Sequence, residues 1–131
     1  MRTITFVVLS LLVLGCHRVR KDPVRDPNIV DYNEMLTRNR TSLVSLTLGM
    51  DKAEVLKTMG TFKAETGDGF VPNPSKSEMI TRGPDNFEIL FYMTEKYPPF
   101  TRIRDSQATP VVLKNGKVIG WGWDTVNSVP K

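Results

Sequence analysis

The side chains best suited to nucleophilic or metal chemistry are scarce in this sequence and lie next to each other. Cys16 is the only cysteine and His17 the only histidine among 131 residues. A single thiol excludes an internal disulfide and a cysteine-rich metal site, and a single imidazole excludes a multi-histidine site. Adjacent residues also cannot supply a nucleophile and a base from distinct parts of a fold. We therefore predict no catalytic residues, no metal site and no cofactor, and we do not expect an enzyme.

Two carboxylates, Asp51 and Glu54, have a spacing that could suit acid–base chemistry, but helix capping accounts for both. Asp51 is placed to cap a helix, and Glu54 follows three residues later, as a capping box requires. Val55, Leu56 and Met59 then form the buried apolar stripe, and Gly60 provides a stop. The pattern predicts a helix over 51–59.

The surroundings of Cys16 indicate an exported protein. A positively charged start is followed by a mainly apolar stretch of 11 residues (4–14), which is too short to span a membrane. Residues 13–16, Val-Leu-Gly-Cys, resemble the lipobox of bacterial lipoprotein precursors, in which the cysteine becomes the lipidated first residue of the mature chain. We predict a signal peptide over 1–15 and a membrane anchor on acylated Cys16. The alternative is a buried apolar strand with an incidental thiol.

Basic residues are concentrated in the segment that follows Cys16 in the sequence. The polar segment after Cys16 contains two prolines and has no amphipathic period, so 16–28 is predicted to be the lipidated cysteine and a flexible tether. Its cations either attract anionic head groups or only keep the linker soluble. From residue 29 onward, 13 Lys and Arg face 12 Asp and Glu, a net charge of +1. A nearly neutral domain over 29–131 does not suggest a nucleic-acid partner.

The elements that must position any site alternate between helix, loop and strand. Apolar spacing predicts a first helix over 31–46, and alternation predicts a strand over 87–93 with two distinct faces. Residues 61–86 are rich in turn residues, with room for one short strand around 79–81. The loop over 94–109 is long for a compact domain, so we expect it to be mobile or functional.

The last hairpin places the candidate interface. Asn115-Gly116 predicts a two-residue turn between strands 110–113 and 118–123. This register pairs Leu113 with Val118, Val112 with Ile119 and Val111 with Gly120. Trp121 and Trp123 then share one face, and Gly120 and Gly122 share the other, where a helix can approach. The tryptophan face is either a second layer under loops or an exposed aromatic patch. The candidate protein-binding residues are Trp121, Trp123, Phe100 and Phe70.

Residues 48–55 (Leu-Gly-Met-Asp-Lys-Ala-Glu-Val), together with Met59-Gly60, resemble the helical segment of the BamE (SmpA/OmlA)-like small lipoproteins. Residues 109–122 are similar to the final hairpin of lipoproteins in the same broad group. Asp51 stands where threonine is usual, and Thr61-Phe62 replaces the proline after the helix. The resemblance implies an α+β fold with two N-terminal helices packed on a three-stranded antiparallel sheet, like beta-lactamase inhibitor protein.

The resemblance also implies a role. It suggests a non-catalytic scaffold or protein-binding module on the cell envelope, with another envelope protein as partner, in outer-membrane assembly or maintenance. The alternative is an inhibitor or ligand-binding module. His17 rather than aspartate follows Cys16, which by the sorting rules of such lipoproteins favours the outer membrane, facing the periplasm.

Overall fold

The computed structural model describes residues 25–99 and 101–131, so Cys16 and Phe100 lie outside the described residues. These residues form three α-helices and seven short strands. The helices are α1 (Tyr32–Leu43), α2 (Lys52–Met59) and α3 (Trp123–Ser128), and a 3-10 helix covers Asp105–Gln107. The strands are β1 (Ile29–Asp31), β2 (Lys63–Thr66), β3 (Gly69–Pro72), β4 (Lys76–Arg82), β5 (Asp85–Met93), β6 (Ala108–Lys114) and β7 (Lys117–Trp121).

These strands form two sheets, so the predicted single three-stranded sheet under two N-terminal helices is wrong. The larger sheet is antiparallel in the order β4-β5-β6-β7, and the smaller has the order β1-β2-β3 with β1 parallel to β2. The difference arises because the stretch 61–86 is not mainly turns: its glycines and prolines separate three short strands. A third helix also follows β7 at the C-terminal end.

Strand β5 lies at the centre of the fold, and its predicted two faces are confirmed. One face carries Phe87, Ile89, Phe91 and Met93, and these pack with α1, the small sheet and the C-terminal segment. The other face carries Leu90 and Tyr92, which pack with α2 and Leu46. Both faces of β5 are therefore covered by other parts of the chain.

The two predicted helices are confirmed. Asp31 caps α1 by accepting a hydrogen bond from the Glu34 amide at 2.9 Å, and the helix ends at Leu43, three residues before the predicted limit. Asp51 accepts from the Glu54 amide at 2.8 Å while the Asp51 amide donates to the Glu54 carboxylate at 2.9 Å. This is the predicted capping box of α2. No helix in the described ranges is long and apolar enough to cross a membrane.

A pair of buried asparagines joins α1, α2 and β5. The Asn39 side-chain amide of α1 donates to Asn73 Oδ1 at 2.9 Å and to the Met93 carbonyl, at the end of β5, at 2.8 Å. The Asn73 amide in turn donates to the Met59 and Gly60 carbonyls, where α2 ends. The pair fixes the point at which the chain leaves β5 for the following loop.

The β6–β7 hairpin has the predicted turn but not the predicted register. Asn115 and Gly116 both have positive φ, as a type I′ turn requires. Leu113 pairs with Val118, but Val112 pairs with Gly120 and Val111 with Trp121, so a β-bulge makes Ile119 an extra residue. A one-residue shift moves every later side chain to the other face.

Strand β7 ends at Trp121 and Trp123 begins α3, so the predicted strand to residue 123 and the predicted shared face of the two tryptophans are wrong. Trp121 lies opposite Val111, which packs in the core on the α2 side. Trp123 begins α3 and packs against Phe91, which belongs to the opposite core. A helix does approach Gly120 as expected, but the helix is α3: a Cβ atom at position 120 would lie 2.8 Å from Thr125 Oγ1.

Candidate functional site

A cleft of about 480 Å³ separates β3 from the loop that follows β5. One wall comes from the β2–β3 hairpin and the other from the loop, so the two walls are distant in sequence. The lining combines aromatic, aliphatic and charged side chains: Thr66, Asp68, Gly69, Phe70, Val71, Tyr97, Arg102 and Ile103. We call this the β3 cleft.

The β3 cleft runs along the edge of the small sheet. Gly69, Phe70 and Val71 are consecutive residues of β3, and all three line the cleft. Because consecutive side chains of a strand point to opposite faces, a cleft lined by three of them in a row follows the strand edge. Phe70 is 57% exposed, whereas Val71 packs against the core. The cleft therefore offers both main chain and apolar side chains.

The opposite wall is held by contacts of the loop with α1 and with the 3-10 helix. The Tyr32 and Tyr97 rings meet edge to face with centroids 5.1 Å apart, and the Tyr32 hydroxyl donates to the Glu95 carbonyl at 3.3 Å. Burial, and to a lesser extent Tyr97, raises the pKa of Tyr32 to about 12. The hydroxyl thus remains a donor at neutral pH. The Thr94 and Glu95 amides both donate to the Gln107 carbonyl at 3.0 Å.

Two charges of opposite sign line the β3 cleft. Arg102 and Asp68 are both exposed, and within the described ranges neither forms an ion pair. On the large sheet, Lys76 is by contrast paired with Asp105 and Glu78, and the hydrogen bonds that its ammonium group donates to these two carboxylates raise its pKa. Of these two cations, Lys76 is held by carboxylates, whereas Arg102 has no ion-pair partner among the described residues and is available to a ligand.

Tyr97 also lines a smaller cavity of about 290 Å³, together with Lys96 and Pro99. Tyr97 thus borders two cavities. The loop that carries it was singled out by its length in the sequence, although its last residues (105–107) form the 3-10 helix and β6 begins at Ala108.

The four candidate interface residues do not form one surface. Phe70 lies at the β3 cleft, and Phe100 is outside the described residues. Trp123 is 39% exposed, and its indole N–H donates to the Ala108 carbonyl at 3.0 Å. Trp121 is 37% exposed, on the opposite side of the large sheet.

Sequence reasoning missed Tyr97, Arg102 and Ile103 as partners of Phe70. The loop length was the available signal, but it could not show which strand the loop faces.

Within the ranges that the structure describes, no group of three or more His, Cys, Asp or Glu residues is close enough to hold a metal ion. The buried hydroxyl of Tyr92, on the α2 side of β5, has no hydrogen-bond partner among the residues described, and burial together with Glu88 raises its pKa. The features of the β3 cleft suit ligand binding, because it combines apolar side chains, a strand edge and two charged side chains.

Comparison with known proteins gives one match. A family model described as "Protein of unknown function (DUF3192)" matches residues 15–128. No curated protein and no solved structure matches the chain significantly.

Proposed function

The chain belongs to the DUF3192 family of proteins of unknown function, and we propose that it is an envelope lipoprotein whose folded domain binds another envelope protein through the β3 cleft. The anchor is acylated Cys16. The proposed location is the outer membrane, facing the periplasm, in accordance with the residue that follows the cysteine. The proposed role is non-catalytic and serves outer-membrane assembly or maintenance.

The observation that carries this proposal is the position of Phe70. Its ring is 57% exposed and borders a cleft that Tyr97 and Ile103 also line. Partly exposed aromatic side chains beside a pocket and an arginine are typical of the residues that dominate protein–protein binding. Arg102 supplies the charge that gives such a contact its specificity.

The length of the tether limits where the partner can lie. The described contacts with the domain begin at Arg25, which forms an ion pair with Glu65 at 3.2 Å, inside the stretch assigned to the tether. Nine residue steps separate Cys16 from Arg25. At roughly 3.4 Å per extended residue, they reach about 30 Å from the lipid surface. This supports a partner that lies in, or close to, the same membrane.

An inhibitor or ligand-binding module is the second candidate. The volume of the β3 cleft, about 480 Å³, is within the range of small-molecule sites. An inhibitor would form a stoichiometric complex with a soluble enzyme, and this would not require the anchor.

Site-specific photo-crosslinking in the native host tests the protein-binding role. A benzoylphenylalanine at position 70 replaces one aromatic side chain by another, and the same group at Met79 is the matched control. Met79 is 66% exposed, on β4 at the far edge of the large sheet. We expect an adduct with an envelope protein from position 70 and none from position 79. Equal adducts from both positions, or none from position 70, would contradict the proposal.

The anchor is tested separately by mass spectrometry of the protein purified from membranes. We expect a mature chain that starts at Cys16 and carries acyl chains, and a Cys16→Ser variant that remains unprocessed. A chain that keeps Met1, or an unmodified Cys16, would refute the anchor without bearing on the β3 cleft.

A further inference from the structure

We propose that the partner inserts an extended segment into the β3 cleft, where it pairs with β3 as a fourth strand of the small sheet. The inference rests on the proposed protein-binding function and specifies its mode. Strand addition of this kind takes its affinity from main-chain hydrogen bonds and its specificity from alternate side chains.

The first observation is the direction of the β3 main chain. The main-chain N–H of Asn73 donates to the Phe62 carbonyl at 2.9 Å. From this pair onward, β3 pairs with β2 residue by residue, with Val71 opposite Ala64 and Phe70 opposite Glu65. In an antiparallel ladder, hydrogen-bonded pairs alternate with pairs whose N–H and C=O groups point outward. The Phe70 amide and carbonyl therefore point away from β2, into the β3 cleft, and no described residue bonds to them.

The second observation is that both edges of the large sheet are protected. The start of β7 is covered because the Gly49 amide donates to the Val118 carbonyl at 2.8 Å and the Val118 amide donates to the Met50 carbonyl at 2.9 Å. The β4 edge carries the charged residues Lys76, Glu78 and Arg82, which discourage pairing. Strand β3, Gly-Phe-Val-Pro, carries no charge.

The third observation is the room available. A strand residue occupies about 3.3 Å along its axis, about 4.8 Å across the sheet and about 10 Å through it. By that measure the cleft volume of about 480 Å³ accommodates roughly three residues. Three residues suffice to form hydrogen bonds with both outward groups of Phe70.

The side chains of the cleft define what the segment carries. Residues of the segment that point to the core side meet Tyr97, Ile103 and Val71, and must be apolar. Arg102 selects a carboxylate next to them, and Asp68 at the hairpin tip disfavours one at that end. The inferred occupant is therefore an extended segment with an apolar residue in the cleft and an acidic residue near Arg102.

Selection from random seven-residue peptides displayed on phage, against the full chain in detergent, tests this chemistry. We expect selected peptides to combine alternating apolar residues with an acidic residue. Arg102→Glu should remove the acidic preference and weaken binding at least tenfold. Lys131→Glu changes the net charge equally at the exposed C-terminus and should have no effect. Failure to select any peptide, or selection without an acidic residue, would overturn the inference.

The main-chain contacts need their own test. Phe70→Ala removes the ring but keeps the amide, whereas Phe70→Pro also removes the N–H, a change that edge strands tolerate. We expect the selected peptide to bind about tenfold more weakly to Phe70→Ala and at least 100-fold more weakly to Phe70→Pro. Urea unfolding of both variants shows whether they are folded. N-methylation of the peptide at successive positions removes one peptide N–H at a time and leaves the protein unmodified. We expect one of the methylated peptides to lose binding.

Hydrogen exchange of the Phe70 amide gives the decisive readout. The peptide should slow its exchange at least tenfold, because a free amide becomes bonded. If exchange at Phe70 is unchanged in the saturated complex, strand addition is wrong. Crosslinking at position 70 in the host would in that case still support protein binding by another mode. If no crosslink forms but a peptide protects Phe70, the proposed envelope partner fails and the binding mode stands.

Discussion

Replacing Asn39 by alanine should lower the free energy of unfolding by more than the loss of a small side chain suggests. The side chain is fully buried, and its amide group donates to Asn73 Oδ1 and to the Met93 carbonyl. The substitution leaves both acceptors buried without a donor, at about 1–3 kcal/mol each. It also removes Asn39 Oδ1, which has no hydrogen-bond partner in the described part of the chain, and this returns about 1 kcal/mol. We expect the free energy of unfolding to fall by about 3 kcal/mol, within a range of about 1–5 kcal/mol.

Urea unfolding of the full chain in detergent, followed by tryptophan fluorescence, measures this loss. The matched control is Asn33→Ala, since Asn33 is an exposed residue of the same helix. The free energy of unfolding of that variant should differ from that of the unmodified protein by less than about 0.5 kcal/mol. The double variant Asn39→Ala/Asn73→Ala should lose less than the sum of the two single losses, because one acceptor is removed together with its donor.

Equal midpoints for Asn39→Ala and Asn33→Ala would refute the reasoning, because they would show that the two carbonyl oxygens find other partners. Full additivity in the double variant would refute the direct link between the two asparagines.

The remaining predictions concern a cap, two tryptophans and two tyrosines. Asp51→Ala should cost about 1 kcal/mol of unfolding free energy and Asp51→Ser much less, because serine also caps helices; equal losses in urea melts would contradict the capping box. Trp123→Ala should lower the free energy of unfolding by about 1 kcal/mol more than Trp121→Ala does, because only the Trp123 substitution removes a hydrogen bond and a contact with an aromatic ring. A larger loss for Trp121→Ala would contradict this assignment of the two side chains. The raised pKa of Tyr32 favours the neutral form in the fold, so its contribution to stability is complete below pH 10 and is lost as pH rises through about 12. Absorbance at 295 nm should show Tyr32 and Tyr92 ionising above the ordinary tyrosine pKa, and a single normal transition for all tyrosines would refute this.

Local signals in the sequence were sufficient for the parts of the fold that depend on neighbouring residues. The capping box of α2, the positive-φ turn at Asn115 and the two faces of β5 each depend on residues within a few positions of one another. The physical determinants of these features are contained in a short window, and the structure confirms them.

The small sheet could not be predicted in the same way. Its strands have three or four residues, too few for a periodic signal, so the turn residues between them dominated the interpretation. The parallel pairing of Ile29 with Lys63 joins residues far apart in the chain. The bulge at Ile119 likewise coincides with the close approach of Thr125 to Gly120, which the isolated hairpin sequence does not specify.

The candidate site falls between these cases. Phe70 and the long loop could each be identified from the sequence as unusual, one as an aromatic residue among turns and the other by its length. Their apposition across the β3 cleft depends on how the small sheet packs against the loop, which is a tertiary property.

The parallel pairing of β1 with β2 has a mechanical consequence for a chain held by its N-terminus. A pull on the N-terminal side that runs along the axis of β1 loads the Arg25–Glu65 ion pair and β1. The hydrogen bonds between β1 and β2 are then loaded together in shear, and are not peeled apart one at a time. Because α1 follows β1 without a linker, a pull strong enough to release β1 would act next on the buried Asn39 contacts. The domain thus resists force at the point where an anchor would apply it.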